Sequence, residues 1–401
     1  MWLPLYFFVG IQVFPIIVKT HDVMRTLLFA ILIFYGSFGF AQNDSTIRLV
    51  FIGDVMGHVP QIQSAFDSAT GLYNYTDVFS EFKGLLTKAD YAIANLEVTL
   101  GGEPYTGYPQ FSSPDALVDG LMATGVNVLV TANNHSVDRG GQGIRRTIDV
   151  LAAKNLLFTG TFLDSADRAL RNPLLLSKNG IRLALLNYTY GTNGIPVPSP
   201  YLVNLIDTLS MAIDISKAQS LGVDDIVVFI HWGNEYERLP NKQQQTLAKW
   251  LQGKGVRIII GSHPHVVQPA ELILSDNDFR MVVYSLGNFV SSQRRRYCDG
   301  GIITLVDFQK RNNKLDVARV GYLPVWVDTY FMNGKRKFKV LPVGMYEGKS
   351  NGLLSVASDS AFKVFVDDTR SLLNTNNINF PEIRFVDGEW VIPPVNRSVN
   401  P

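Results

Sequence analysis

The stretch Val126–Gly143, VNVLVTANNHSVDRGGQG, runs from apolar residues through a cluster of polar side chains into glycines. Its first part, Val126–Val130, has the mostly apolar, β-branched composition of a buried strand, and a helix-like pattern follows the glycines. Asn134, His135 and Asp138 stand between the two. Ligands of open α/β sheets bind at the carboxyl ends of the strands. An amide, an imidazole and a carboxylate at such a turn therefore indicate a functional site.

The same arrangement recurs along the chain. Apolar runs that end in polar residues are Arg48–Ile52, Tyr91–Ala94, Val126–Val130, Arg182–Leu186, Ile226–Ile230, Arg257–Ile260 and Met281–Tyr284. Helix-like stretches at 114–124, 144–154 and 242–252 lie between several of these runs. Strands that alternate with helices predict an α/β domain with a substantial parallel sheet. We expect this domain to span residues 46–308 and a small α+β extension to follow over 309–401.

Composition excludes several classes of protein. The chain has 401 residues, is 46% hydrophobic and carries a formal charge of +1. This balance is sufficient for a large core, and it argues against a nucleic-acid partner, since such surfaces need excess positive charge. Cys298 is the single cysteine. An internal disulfide and a metal site built from several cysteines are therefore impossible.

The first 41 residues have the pattern of a leader. Met24-Arg25 precedes the apolar run Thr26–Phe40, and Gly39 and Ala41 provide a small-x-small cleavage site. This pattern predicts a secretory signal peptide over residues 24–41 and export to the periplasm or cell envelope. The upstream residues 1–18 are also apolar. Either Met24 is the true start, or the upstream segment anchors the protein in a membrane.

Histidines are concentrated at the ends of the predicted strands. The sequence has six, and five of them, His58, His135, His231, His263 and His265, follow predicted strands. Asp54, Glu97 and Asn134 are placed in the same way. Imidazole and carboxylate ligands together suit manganese, zinc or iron. We therefore expect one or two divalent transition metal ions, which in two-ion hydrolases lie about 3.5–4 Å apart.

Each proposed ligand also has a simpler explanation. His263 and His265 would project to the same side of an extended backbone, or they would belong to a solvated loop. His231 could be a hydrogen-bonded core residue, and Asp54 a helix N-cap. Glu97 could be a surface carboxylate, although a buried one would need a partner.

Further side chains are assigned to catalysis. Asn134 offers a carbonyl oxygen to a metal, and His135 could act as general acid for the leaving group. Asp138 would either orient His135 or cap the next helix. The aromatic cluster 188–193 would either line a substrate cleft or form a packed loop. His58 is as compatible with an exposed loop position as with a functional one.

Six motifs together resemble the bacterial CapA family, the capsule or poly-gamma-glutamate synthesis proteins related to calcineurin-like metallophosphoesterases. They cover about residues 49–293 in the order typical of the family. The matching stretches are Gly53-Asp54-Val55-Met56, Ala94-Asn95-Leu96-Glu97, Ala132-Asn133-Asn134-His135 with Asp138 and Gly140, His231-Trp232-Gly233-Asn234-Glu235-Tyr236, Gly261-Ser262-His263-Pro264-His265-Val266-Val267-Gln268 and Tyr284-Ser285-Leu286-Gly287-Asn288-Phe289.

The resemblance implies a four-layer α/β/β/α sandwich and an envelope location. It also implies metal ligands and an acid, His135. The implied ligands are Asp54, Glu97, Asn134, His231, His263 and His265. For substrate binding we expect Asn95, Tyr188, Asn193 and Glu235.

Two departures from the wider phosphoesterase pattern leave two functions open. Met56 stands where that pattern has a histidine, and Asn95-Leu96-Glu97 replaces its Gly-Asp-x-x-Asp motif. One hypothesis is an exported metal-dependent hydrolase that cleaves a phosphoester or amide in a capsule or envelope polymer. The alternative is a polymer-binding, export or anchoring component without turnover, which would act with membrane synthase subunits.

Overall fold

The computed structural model describes residues 2–9, 12–19, 45–275, 278–348 and 354–395. It divides into two compact units, and the first contains an antiparallel pair of strands, β1 (Trp2–Val9) and β2 (Gln12–Lys19). The signal peptide predicted at 24–41 lies outside the described residues. Within the described ranges, no helix is long and apolar enough to cross a membrane.

The second unit begins at Ser45 and contains the remaining elements. Its strands are β3 (Ser45–Val55), β4 (Phe66–Asp67), β5 (Leu72–Tyr73), β6 (Tyr91–Leu96), β7 (Val128–Val130), β8 (Leu157–Thr159), β9 (Thr161–Phe162), β10 (Leu174–Lys178), β11 (Ile181–Thr189), β12 (Leu202–Val203), β13 (Asp225–His231), β14 (Ile258–Ser262), β15 (Val267–Ser275), β16 (Asp278–Leu286), β17 (Asn288–Val290), β18 (Gly300–Arg311), β19 (Lys314–Met332), β20 (Lys335–Pro342), β21 (Arg384–Val386) and β22 (Glu389–Val391). Its α-helices are α1 (Val59–Ala65), α2 (Thr76–Phe79), α3 (Lys83–Leu86), α4 (Ala116–Met122), α5 (Gly140–Ala153), α6 (Ser165–Arg171), α7 (Thr208–Ser220), α8 (Lys242–Gly253), α9 (Val343–Tyr346) and α10 (Val356–Asn376), and a 3-10 helix covers Ser80–Phe82.

Most strands belong to two mixed sheets. The six-stranded sheet has the order β10-β11-β13-β14-β16-β15, and its four inner strands are parallel. The eight-stranded sheet has the order β20-β19-β18-β3-β6-β7-β8, with β17 also paired to β3. In this sheet β3, β6, β7 and β8 are parallel, whereas β18, β19 and β20 form an antiparallel half. Parallel strands direct their carboxyl ends to one edge, which is where the site forms.

The alternation of side chains along the inner strands produces four layers. Phe51 on β3 and Phe229 on β13 pack in the apolar layer between the two sheets. Their neighbours face outward: Ile52 packs in the cluster that includes residues of α4 and α5, and Val228 in the cluster that includes residues of α7 and α8. Because successive side chains of a strand point to opposite faces, each inner strand contributes to two cores. The four-layer α/β/β/α sandwich is therefore confirmed.

Helix ends follow the signals in the sequence with one informative exception. Helix α8 occupies the predicted stretch 242–252, and Asn241 caps it by accepting a hydrogen bond from Gln244 N, while the side-chain oxygen of Gln244 accepts one from Asn241 N. Helix α5 begins at Gly140, four residues before the predicted start. A Cβ at Gly141 would lie 2.5 Å from Tyr201, so glycine permits this close packing of the first turn.

The residues after 308 belong to the same fold as the rest. Strand β18 runs through the expected boundary from Gly300 to Arg311, and β19 and β20 continue the eight-stranded sheet. Leu373 of α10 packs between the two sheets, while Phe365 packs against Trp326 of β19. The expected boundary at 308 therefore falls inside a strand of the main sheet. Strands β18, β19 and β20 follow one another without intervening helices, because antiparallel strands can be joined by short turns.

Candidate metal centre

The strand ends of both sheets converge on one buried cluster. Asp54 lies at the end of β3, and Glu97 and Asn134 follow β6 and β7 in the same sheet. From the six-stranded sheet, His231 ends β13, and His263 follows β14. All six predicted ligands, the five above and His265, are at most 3% exposed. The structure thus brings together every residue that the sequence assigned to the metal.

Glu97 is fully buried, and neither of its carboxylate oxygens accepts a hydrogen bond from any residue of the described part of the chain. Burial raises the pKa of Glu97 well above its ordinary value of 4.5, and the charge of Asp54 raises it further. An unpartnered buried carboxylate costs several kcal/mol unless a cation or a proton neutralises it. The surroundings of Glu97 therefore fit a bound metal ion.

Two possible ligand groups share Glu97. One consists of Glu97, His231 and His263, and the other of Glu97, Asp54 and His265; within each group the ligand atoms lie within 4.8 Å of one another. Glu97 Oε1 is 3.4 Å from His231 Nε2 and 3.9 Å from His265 Nε2. A carboxylate common to two groups is the arrangement that would bridge two ions. Imidazole with carboxylate suits manganese, zinc or iron.

Asn134 belongs to the first group by position. Its side-chain oxygen lies 2.8 Å from His231 Nε2, and its amide nitrogen donates to Asn193 Oδ1 at 3.2 Å. The second ring nitrogen of His231 lies 3.1 Å from the Ser262 hydroxyl. Ser262 thereby fixes the orientation of the imidazole and leaves Nε2 toward Glu97 and Asn134. His231 is buried, but its ring nitrogens face polar groups rather than a purely apolar core.

The second group is held by a similar network. Asp54 Oδ2 lies 3.2 Å from His265 Nδ1, which is also 3.1 Å from Asn288 Oδ1. Asp54 Oδ1 accepts a hydrogen bond of 2.8 Å from Asn95 Nδ2. Helix α1 has His58 at its N-cap, so Asp54 does not serve as a helix cap. The Asp54 carboxylate is therefore available as a metal ligand.

The His263-Pro264-His265 segment is a turn rather than the extended backbone that was expected. His263 has φ +103° and His265 φ +57°, both in the left-handed region. Side chains such as histidine seldom adopt this region, and the strain costs about 1–3 kcal/mol per residue. The turn separates the ring centroids by 6.1 Å and assigns one ring to each ligand group. The two histidines therefore serve different groups instead of one shared face.

Burial keeps the histidines of the first group neutral. It lowers the pKa of His231 and of His263 well below the ordinary value, and the nearby imidazoles lower both further. The neutral ring is the form that binds a metal. His263 Nδ1 is buried and has no hydrogen-bond partner among the described residues. It is thus a second unpartnered group that a cation would satisfy.

His135 lies beside the ligand cluster with its ring oriented by Asp138. Nδ1 of His135 is 2.7 Å from Asp138 Oδ2, which also accepts a hydrogen bond of 2.7 Å from Phe111 N. Phe111 packs edge-on against the His135 ring at a centroid distance of 4.6 Å. Helix α5 has Arg139 at its N-cap, so Asp138 does not cap it. Asp138 therefore holds His135, which was one of the two alternatives.

Two cavities open beside the ligand cluster. A polar one of about 330 Å³ is lined by His135 and His265 together with Met56, His58, Tyr108, Glu235, Tyr236, Ser292 and Gln293. A larger one of about 950 Å³ adjoins His263 and extends along α8. Glu235 lines both. Glu235 therefore lies beside the ligand cluster, and Asn193 contacts Asn134 through its side-chain oxygen.

Two of the expected substrate-binding residues are placed elsewhere. Asn95 is 1% exposed, and its amide contacts Asp54, His231 Nδ1 and Ser262. Asn95 therefore orients the proposed ligands instead of facing a cavity. Tyr188 is packed in the outer core, and its hydroxyl donates to Asp214. Tyr188 lies within β11, where side chains alternate between the two faces of the sheet, and its side chain points to the helical layer. The residues of the aromatic cluster that follow the end of β11 face the site instead.

Several residues of the site were not assigned from the sequence. Tyr190, two positions after Tyr188, stacks over His231 at 6.3 Å and packs on His263 at 4.6 Å. His58 lines the polar cavity, and burial lowers its pKa to about 4. Tyr190 was recognisable only as part of an aromatic cluster, because its face depends on where β11 ends. Ser262 and Asn288, which hold the ligand histidines, lie in the matched motifs.

The fold and site together define a four-layer sandwich with a candidate metal centre at its strand ends. The profile of the family described as "Bacterial capsule synthesis protein PGA_cap" matches residues 48–293. The chain belongs to this family.

Two proteins of known name are similar to the chain over about the same region. The chain is 29% identical over 268 residues to the "Capsule biosynthesis protein CapA" of Bacillus anthracis, which covers 63% of this chain and 61% of the relative. It is 28% identical over 272 residues to the "PGA biosynthesis protein CapA" of Bacillus subtilis (strain 168), with 63% and 65% covered. The match thus spans less than two thirds of each relative. A solved calcineurin-like phosphoesterase, YfkN from Bacillus subtilis, aligns with 83% of this chain and 99% of its own at 13% identity and a TM-score of 0.39.

Proposed function

We propose that the protein is an exported, CapA-like hydrolase of capsule or poly-gamma-glutamate biosynthesis. In this proposal its site binds one or two divalent ions, Mn²⁺, Zn²⁺ or Fe²⁺, and cleaves a phosphoester or an amide of a capsule or envelope polymer. Family membership supports the process. The composition of the ligand cluster supports the chemistry.

The observation that carries this proposal is the state of Glu97. Its carboxylate is fully buried, unpartnered within the described residues and common to two possible ligand groups. A purely structural carboxylate at such a position would be hydrogen-bonded or paired, because burying a lone charge is costly. The state of Glu97 therefore supports a bound cation at this position.

The residues of the site would have separate roles in binding the metal, transferring a proton and binding the substrate. Asp54, Glu97, Asn134, His231, His263 and His265 would hold the metal, which when bound acidifies water and stabilises developing negative charge. His135 would hold a proton on the ring nitrogen that does not contact Asp138 and deliver it to the leaving group. Asp138, 2.7 Å from Nδ1, would fix the ring and stabilise its charged form. Glu235, which lines both cavities, would contact the substrate, as would the exposed Asn193 beside Asn134.

Metal analysis combined with hydrolysis assays tests this function. The purified protein is expected to contain one or two equivalents of a transition metal and to cleave bis(p-nitrophenyl) phosphate or poly-gamma-glutamate. Glu97→Gln should abolish both properties, whereas Glu103→Gln, at an exposed position, should retain both. Metal-free wild-type protein that stays metal-free after incubation with Mn²⁺, Zn²⁺ and Fe²⁺ would refute the proposal.

A second function is favoured by one residue. Met56 is 1% exposed and lines the polar cavity at the position where the wider phosphoesterase pattern has a histidine. A thioether is a poor ligand for hard divalent ions. In this second function the protein would bind the polymer, or assist its export or anchoring beside membrane synthase subunits, without hydrolysing the polymer. Metal binding without hydrolysis of any of these substrates would favour this function over the first.

A further inference from the structure

The larger cavity, of about 950 Å³, is a groove between the metal centre and helix α8. Tyr190 and His263 line its end at the ligand cluster, and Leu247 and Trp250 of α8 line its opposite part. Trp232 and Ile206 complete its apolar surface. Because His263 belongs to both the groove and a ligand group, a molecule in the groove would reach the metal centre. The groove is therefore placed to hold a part of a molecule whose reacting group lies at the ligand cluster.

The charges of the groove do not suit a polyanion. Lys242 and Glu235 are its charged side chains apart from the neutral ligand His263, so their charges cancel. A segment of polyglutamate carries one negative charge per residue and would require several cationic partners. The lining thus disfavours a polyanionic ligand along this path.

The remaining polar side chains form a neutral hydrogen-bonding set. Asn234, Gln243 and Thr246 are exposed on the rim, and Thr208 faces them from the start of α7. Amide and hydroxyl groups offer both donors and acceptors, as sugar hydroxyl groups do. The half-exposed Trp250 ring supplies an apolar platform that suits the C–H face of a sugar ring.

We infer that this groove binds a neutral saccharide unit of the substrate and presents an attached group to the metal centre. The inference rests on the proposed hydrolytic function of that centre. It narrows the substrate class from envelope polymers in general to those that carry an uncharged sugar next to the bond that is cleaved. The polar cavity beside His135, on the other side of Glu235, would then receive the leaving group.

Isothermal titration of the full chain with chitotetraose, a neutral oligosaccharide, and with a short poly-gamma-glutamate tests the inference. Chitotetraose is expected to bind, and Trp250→Ala should weaken its binding about tenfold. Trp250→Phe, which keeps a ring, should restore most of the affinity. Trp390→Ala is the matched control, since Trp390 lies on β22 away from the groove and should leave binding unchanged.

If Trp250→Ala fails to fold, Gln243→Ala and Asn234→Ala on the exposed rim should each weaken chitotetraose binding severalfold. Binding of poly-gamma-glutamate that is lost on adding salt and in Lys242→Ala, with no binding of chitotetraose, would overturn the inference. The inference would also be overturned if neither probe bound, or if chitotetraose bound equally well to the wild type and to all groove variants.

Metal content separates this test from that of the proposed function. Trp250→Ala should bind as much metal as the wild type, because Trp250 belongs to neither ligand group. Saccharide binding measured before and after treatment with a chelator reports on the groove alone. A protein that binds chitotetraose through Trp250 but no metal would refute the hydrolytic function and leave the saccharide site standing.

Discussion

Glu97 Oε1 lies 3.4 Å from Nε2 of His231, although the two residues come from different sheets. The pair is fully buried, and burial favours a protonated Glu97 and a neutral His231. Neither group therefore neutralises the other as an ion pair. A divalent cation would stabilise the ionised carboxylate, and the neutral imidazole would serve as one of its ligands.

Glu97→Gln should eliminate both metal equivalents, since Glu97 belongs to both ligand groups. The amide keeps the size of the side chain but lacks the negative charge. Metal content measured by mass spectrometry of the dialysed variant is expected to fall to background. The fold should persist, because a neutral amide is less costly to bury than an unpartnered carboxylate. Retention of one full equivalent would show that Glu97 does not bridge.

His263→Ala and His265→Ala should have different effects on metal content, because the two residues lie in different ligand groups. Each variant is expected to lose one equivalent and to bind the other about 10–100-fold more weakly. Anomalous scattering from crystals of each variant would locate the ion that remains. Loss of the same ion from both variants would contradict the two-group arrangement.

His135→Ala should lower the turnover number by about 10²–10⁴-fold without changing metal content, because His135 lies beside the ligands rather than among them. Asp138→Ala should lower it less and alter the pH–rate profile, since the contact of 2.7 Å that orients the ring is lost. Substrates with a good leaving group should be the least affected by His135→Ala. An equal loss for good and poor leaving groups would argue against the role of acid.

In the pH range where the metal-free protein holds a proton on Glu97, this proton must leave before the ion binds. Metal affinity should therefore rise about tenfold per pH unit in this range. His231 and His263 add little to this slope, because burial already lowers their pKa values. In the metal-free protein, the contribution of Glu97 to stability should instead fall as pH rises. The raised pKa of Glu97 gives a stabilising contribution that is complete below its ordinary value and is lost as pH rises through the raised one. Competition titrations at several pH values, and unfolding of the metal-free protein, would measure the two trends.

Gly53→Ala should destabilise the protein by about 1–3 kcal/mol and weaken metal binding. An added Cβ at Gly53 would collide with the carbonyl oxygen of Gly287, which accepts a hydrogen bond of 3.0 Å from Asp54 N. The ligand Asp54 would move with the displaced strand. Gly191→Ala is the control, since no heavy atom lies within 4 Å of its added Cβ. Urea unfolding and metal titration of both variants would measure the effect.

Much of the fold was predictable because its signals are local. The run Ile226–Ile230 is apolar throughout, which is typical of a strand buried on both faces, and it forms β13 between two cores. The capping pattern at Asn241 marks the start of α8. The continuity of the fold across residue 308 was not predictable, since the pairing of β18 with β3 joins residues that are more than 250 positions apart.

The sequence by itself determined which side chains meet at the candidate metal centre. Ligands such as Asp54 and His231 stand directly after apolar strands, and the carboxyl ends of parallel strands meet at one edge. Only the tertiary structure decided how these ligands are divided. The positive φ angles of His263 and His265 direct one ring to each ligand group. The packing of the two sheets leaves Glu97 as a member of both groups. Such geometry depends on packing between distant segments, which no local pattern encodes.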